Sequence, residues 1–233
     1  MGLVVIVEGL IGAGKSTLTQ ELGAALGPNT LTLMEPDEKD AANPYLSDFY
    51  GDKERWSFTM QVHLLGARYK MQLAAQWHAM SNRGHACLDR SFYGDTCFAR
   101  MMNRTGEISD REFETYRIIY QSMTASVLLP SACVRLRVDP RIAAERIQRR
   151  ASEREGRRSE LTIDLGYLEA LEHEIDTTVE VLRQQGVKII EVPWSENRGS
   201  VEERAAGVQA IADQINQVSM PDLFLHLHRR VHQ

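Results

Sequence analysis

Gly9-Leu10-Ile11-Gly12-Ala13-Gly14-Lys15-Ser16-Thr17 follows an apolar run, Leu3 to Val7, and leads into a helical pattern that starts near Ser16. Strand, glycine-rich turn and helix in that order, with G-x-x-x-x-G-K-[ST] spacing, is the pattern of a phosphate-binding loop. The glycines let the backbone curl until successive N–H groups point at one anion. The helix that follows adds the positive end of its dipole. Gly9, Gly12, Ala13, Gly14, Lys15, Ser16 and Thr17 are therefore the candidate phosphate-binding residues. Lys15 supplies a charge for the outer phosphates, and Ser16 a hydroxyl for a magnesium ion. The stretch implies a nucleoside triphosphate, Mg2+ and the P-loop NTPase three-layer fold.

Working outward, five short runs rich in branched apolar residues read as buried parallel strands: Leu3–Glu8, Thr30–Glu35, His85–Asp89, Cys133–Val138 and Val187–Val192. Helical patterns separate them, which predicts an α/β fold with a five-stranded parallel sheet covered by helices on both faces. A long helix is expected from about Arg55 to Met80, with Trp56, Met60, Leu64, Ala67, Met71 and Ala74 on its buried stripe. Further helices are expected over Ser109 to Leu129, capped by Ser109-Asp110, over Leu165 to Gln185, and over Val201 to Val218. Residues 1–218 read as one domain with an arginine-rich lid at about 146–162, and 219–233 as a tail. The histidines of that tail, His226, His228 and His232, read as a frayed or partner-packed end rather than a metal site.

A chain of 233 residues suffices for one α/β domain and is short for two. With 43% hydrophobic residues and no low-complexity tract, it can bury a sizeable core. A net charge of −5 argues against a nucleic-acid surface. Cys87, Cys97 and Cys133 lack metal-ligand spacing, so reduced thiols in a cytoplasmic setting are expected. No apolar run approaches the roughly 18 residues that span a bilayer, and a core strand begins at once, which leaves no room for a signal peptide.

Ligands of open parallel sheets bind beyond the carboxyl ends of the strands. Strand two ends in Glu35-Pro36 and strand three in Asp89-Arg90-Ser91. Two carboxylates and an arginine thus converge where the triphosphate must lie. Together with Arg55-Trp56-Ser57-Phe58-Thr59-Met60-Gln61 opening the long helix, and Tyr93 and Asp95 after strand three, this pattern resembles the deoxyribonucleoside kinase family. The resemblance runs from residue 3 to about residue 190. Aspartate before Arg-Ser is the bacterial purine deoxynucleoside kinase form, and the Arg-Trp-Ser-Phe-Thr-x-Gln stretch is its discriminating part.

The resemblance implies a deoxyribonucleoside kinase that passes the γ-phosphate of ATP, or another triphosphate, to a deoxyribonucleoside 5′-hydroxyl. Glu35 stands where the family has its general base, Arg90 where a guanidinium bridges the 5′-oxygen and the phosphate, and Asp89 where an acidic residue holds magnesium. A salt bridge between Asp89 and Arg90 is the competing structural account. Gln61, with Met60 beside it, corresponds to the base reader, because a side-chain amide can pair with a nucleobase edge through two bonds. Arg68 lies two helical turns on, about 20° further round, and so faces the same groove. In the family an arginine there, paired with an aspartate like Asp95, accompanies preference for dA, dG and dC over thymidine. The reading leans toward purine deoxynucleosides, with deoxycytidine as a further acceptor.

Tyr50 falls where a tyrosine hydroxyl bonds the sugar 3′-OH. Its lid partner is Glu160, or Glu155 in a gapless count; Glu160 is preferred because Ile163-Asp164-Leu165-Gly166-Tyr167-Leu168 resembles the segment that follows it. Arg146, Arg149, Arg150, Arg154, Arg157 and Arg158 are the lid arginines, of which Arg146 and Arg150 share a helical face and fit the family spacing for contact with the triphosphate. One position departs from the family: the aromatic expected four residues beyond Asp95 is Ala99, with Phe98 one place earlier. By family analogy the protein is a homodimer with a small-molecule substrate and neither nucleic acid nor membrane as partner. Two other readings remain, a nucleoside monophosphate kinase and a catalytically silent relative. The first lacks a counterpart of Arg55–Gln61, and the second commonly loses residues equivalent to Lys15 or Glu35.

Overall fold

The computed structural model describes residues 1–35, 43–153, 163–194 and 200–218. Its sheet is built from β1 (Val4–Glu8), β2 (Leu31–Leu33), β3 (Ala86–Asp89), β4 (Ala132–Arg137) and β5 (Lys188–Pro193). All neighbours run parallel, in the spatial order β2-β3-β1-β4-β5. The helices described are α1 (Lys15–Ala25), α2 (Leu46–Gly51), α3 (Lys53–Met80), α4 (Phe92–Thr105), α5 (Asp110–Thr124), α6 (Pro140–Glu153), α7 (Leu165–Gln184) and α8 (Val201–Asn216).

The three central strands are buried almost throughout because helices cover both faces; β1 and β3 are apolar up to a terminal carboxylate, and β4 is interrupted by Arg135 and ends in Arg137. The two edges differ from the expectation of five equally buried strands. β2 spans three half-buried residues, ending two short of Glu35, and β5 alternates between buried and exposed positions. An edge strand pairs on one side only, so fewer residues are held in the ladder. The early end of β2 leaves Glu35 in irregular backbone at the mouth of the sheet.

Asp52 caps α3 by accepting from the Arg55 amide at 3.1 Å. Tyr50 therefore lies in a separate short helix, α2. The buried face of α3 is rotated from the expected stripe: Met60 and Leu64 are buried, but Ala74 is exposed, and Ser57, Gln61, Arg68, Gln72 and Gln76 are buried instead. Apolar periodicity misplaces this face because two of its polar residues, Arg68 and Gln76, are bonded to partners inside the fold. Gln76, for one, accepts from the Leu128 amide at 2.8 Å and so pins the connection that enters β4. α5 opens with the capping box Ser109/Glu112, as Ser109 led one to expect, but ends at Thr124, five residues before Leu129. All three cysteines are free and buried, and among the described residues no helix is long and apolar enough to cross a membrane.

Candidate active site

Strand β1 delivers the phosphate loop at the sheet's carboxyl edge. Gly12 (φ 79°) and Gly14 (φ 90°) adopt the left-handed backbone that favours glycine. A Cβ on Gly12 would lie 2.7 Å from the Ala143 carbonyl of α6, so only glycine lets the loop pass under that helix. α1 begins at Lys15, and its first amide groups have no intrahelical acceptors. The buried Lys15 ammonium folds back to donate to the Leu10 carbonyl at 2.8 Å. Burial, then Arg90, pushes its pKa down to about 8 against the opposing pull of Asp89, Glu35 and Glu8.

Across the same cleft stands Glu35, 32% exposed. Its two oxygens are divided between two arginines: Arg68 Nη2 donates to Oε1 at 2.5 Å and Arg90 Nε to Oε2 at 3.0 Å. Burial alone would raise this carboxyl, but Arg90, Arg68 and Lys15 together hold it down to about 2. Arg68, almost fully buried, also donates to Asp95, which in turn accepts from the Tyr116 hydroxyl at 2.5 Å. Against the cost of burial, Asp95 and Glu35 raise the Arg68 guanidinium above its ordinary value, so it stays charged.

Asp89 does not pair with Arg90. Both of its oxygens are buried and lack a hydrogen-bond partner among the described residues, while Arg90 turns to Glu35 and keeps Nη1 unpartnered. Unpartnered carboxylate oxygens on a cavity that Ser16 of the loop also lines fit magnesium, which takes hard oxygen donors, few of them from protein and the rest from water and substrate phosphates. Among the described residues no cluster of three or more histidine, cysteine or acidic side chains could hold a metal.

One cavity of about 620 Å³ joins these groups. Gly12, Gly14, Lys15, Ser16, Thr17, Glu35, Asp89 and Arg90 line it, and so do Tyr50, Met60, Gln61 and Arg68. Gln61 lines this space, with its Oε1 buried and without a hydrogen-bond partner among the described residues. Phe98 lines it too, with the Arg90 guanidinium 4.8 Å from its ring centre, whereas Ala99 is packed in the core. The aromatic therefore reaches the cleft from the place before the expected one. Asp95 is fully buried behind Arg68 and does not line the cavity.

Of the lid arginines, Arg150 lines the cavity, and Arg146 donates to the Trp194 carbonyl at 3.0 Å on the side of the loop. Glu155, Glu160, Arg154, Arg157 and Arg158, and the tail histidines, lie outside the described residues. Two participants escaped sequence reading. Tyr167, on the first turn of α7, lines the cavity near Tyr50, and burial raises its hydroxyl pKa. Glu8, the last residue of β1, is a buried carboxylate directly behind the loop. A charge ending an otherwise apolar strand was the available signal for Glu8; a tyrosine on a distant helix gave none.

A phosphate cradle, an acidic group and an arginine at neighbouring strand ends, and a polar helix face opposite them, define a P-loop phosphotransferase acting on a small acceptor. A family model described as deoxynucleoside kinase matches residues 5–218. Deoxyadenosine kinase of Dictyostelium discoideum is 33% identical over 195 residues, 84% of this chain and 74% of that one. Deoxyadenosine/deoxycytidine kinase of Bacillus subtilis (strain 168) is 36% identical over 169 residues, 72% of each chain. The solved structure of deoxyadenosine kinase from M. mycoides with bound dATP superposes with a TM-score of 0.71 at 25% identity, covering 92% of this chain and all of that one. The chain belongs to the deoxynucleoside kinase family, whose members are phosphotransferases that take a nucleoside triphosphate as donor.

Proposed function

We propose that this enzyme transfers the γ-phosphoryl group of ATP to the 5′-hydroxyl of deoxyadenosine or deoxyguanosine, with deoxycytidine as a further acceptor. One observation carries the reading: a single cavity is lined by Lys15 and Ser16 of the phosphate loop, by Glu35 and Arg90, and by Gln61 and Arg68 of α3. These three sets of groups suit donor phosphates, reacting oxygens and nucleobase respectively.

Phosphoryl transfer through a loose transition state depends on alignment and charge neutralisation more than on proton removal. Glu35, held at about 2 by its arginines, is a weak base and a good orienting acceptor for the 5′-hydroxyl. Arg90 offers the unpartnered Nη1 to the transferring group, and Lys15 neutralises the outer phosphates. Ser16 and Asp89 would hold Mg2+, which supplies charge neutralisation and alignment of the phosphates when bound. Gln61 presents its amide edge to the base, and Phe98 offers a ring face beside it. Arg68, held by Asp95, lines the cavity, where a thymine methyl would meet it, which disfavours thymidine. Tyr50 and the lid residue Glu160, or Glu155, bind the 3′-hydroxyl, and Arg146 and Arg150 close on the triphosphate as part of a lid at 146–162. Residues 1–218 act as one domain, and the family's helix-packed homodimer is the expected assembly.

The test is turnover of γ-labelled ATP with deoxyadenosine by the unaltered chain and by Lys15→Ala and Glu35→Ala, each checked for native unfolding behaviour. Loss of labelled monophosphate in both folded variants supports these roles. Unchanged turnover removes the residue concerned from the mechanism.

A further inference from the structure

We propose that Glu8 is a positioning residue for the phosphoryl transfer, acting through Ser91 to hold Arg90 in the conformation that aims its guanidinium at the acceptor site. Arg90 has a φ of 64°, a left-handed backbone that a residue with a side chain rarely adopts. Such conformations persist only where the surroundings over-determine them. Two bonds do so here. The Arg90 amide donates to the Val7 carbonyl at 3.1 Å, and the next residue, Ser91, donates its hydroxyl to Glu8 Oε1 at 2.6 Å. Ser91 Oγ also accepts from the Gly94 amide at 3.0 Å, capping α4, so one hydroxyl ties together β1, the turn carrying Arg90 and the start of the helix.

The sequence makes space for this carboxylate. A Cβ on Gly94 would stand 2.4 and 2.6 Å from the two Glu8 oxygens. Glycine in the first turn of a helix is otherwise unfavourable. Glu8 is 2% exposed, and its Oε2 has no hydrogen-bond partner among the described residues. Burial raises its pKa, with Arg90 the largest opposing influence, then the Ser91 bond and Lys15. Neither Glu8 nor Ser91 lines the cavity; the consequence of their bond is that Arg90 Nε stays on Glu35 while Nη1 is left without a partner among the described residues.

The inference rests on the phosphotransferase reading, and a double-mutant cycle tests it. Glu8→Ala should lower kcat about 100-fold with little change in KM for the deoxynucleoside, the scale of loss when a distant change misplaces a reacting group. In an Arg90→Ala background the same change should cost no more than about twofold, since residues acting through one another are not additive. Gly94→Ala, which adds one methyl group against the carboxylate and leaves the machinery intact, should reproduce the kcat loss and so provides a second route if Glu8→Ala folds poorly. Equal losses with and without Arg90, or wild-type kcat in both Glu8→Ala and Gly94→Ala, overturn the positioning role alone. No turnover by the unaltered chain with any deoxynucleoside overturns the phosphotransferase reading as well.

Discussion

Replacing Arg68 and Asp95, singly and together, probes the pair that links base recognition to the acidic group at the reaction centre. Asp95 is fully buried, and its oxygens are taken by Arg68 and by the Tyr116 hydroxyl. Arg68→Met strands that carboxylate and frees one oxygen of Glu35, and breaking a buried pair from one side costs about 3–5 kcal/mol. For a domain of this size the loss corresponds to a fall in Tm of roughly 6–20 °C. Asp95→Asn added to Arg68→Met removes the stranded charge but keeps an oxygen for Tyr116. The double variant should therefore be more stable than Arg68→Met alone, because replacing both members of a buried pair is often close to neutral. The same exchange makes room for a 5-methyl group, so kcat/KM for thymidine relative to deoxyadenosine should rise about 10- to 100-fold. Denaturant unfolding of the three variants, with both nucleosides as competing acceptors, measures both effects. A double variant no more stable than Arg68→Met, or one that keeps its purine preference, refutes this account of the base pocket.

Three further outcomes are expected. Lys15→Met should lower turnover about 100- to 1000-fold, the range for losing one preorganised charge donor, yet leave Tm unchanged or higher, because the buried ammonium is held at about 8 at a cost to the fold. Gly12→Ala should destabilise the chain by about 1–2 kcal/mol for the left-handed backbone alone and weaken nucleotide binding, as read by unfolding and by ATP titration. The Glu35 carboxyl, lowered from 4.5 to about 2, contributes stability that is present above pH 4.5 and lost as pH falls toward 2. The stability gap between the unaltered chain and Glu35→Gln should thus close over that window, and Glu35 should give turnover no acid limb between about pH 5 and 7.

The parts of the site that depend on backbone and spacing were legible before any coordinates. The phosphate loop and the polar ends of strands two and three follow from residue order, because a parallel sheet must bring those ends to one edge. Gln61 and Arg68 could be placed on one face because the helix repeat relates them. What was misread depends on partners distant in sequence. Apolar spacing on α3 points to Met60 and Leu64, which are buried, but not to Gln61, Arg68, Gln72 and Gln76, which are buried too, and Arg68 is held there by groups 33 and 27 residues away. Tyr116 could not be linked to Asp95 from sequence, since only the packing of α5 against α4 joins them. Phe98 reaches the cleft although spacing pointed to residue 99, a difference of one helical position that packing alone decides.

The central claim is that the acceptor is a sugar's 5′-hydroxyl held at Glu35, and the choice of acceptor tests it most directly. With magnesium and γ-labelled ATP, deoxyadenosine, deoxyguanosine, deoxycytidine and thymidine should be compared with their 5′-monophosphates. The account predicts labelled monophosphate from the purine deoxynucleosides, less from thymidine, and no labelled diphosphate. Label appearing only in diphosphates, formed from the monophosphate acceptors, would contradict it.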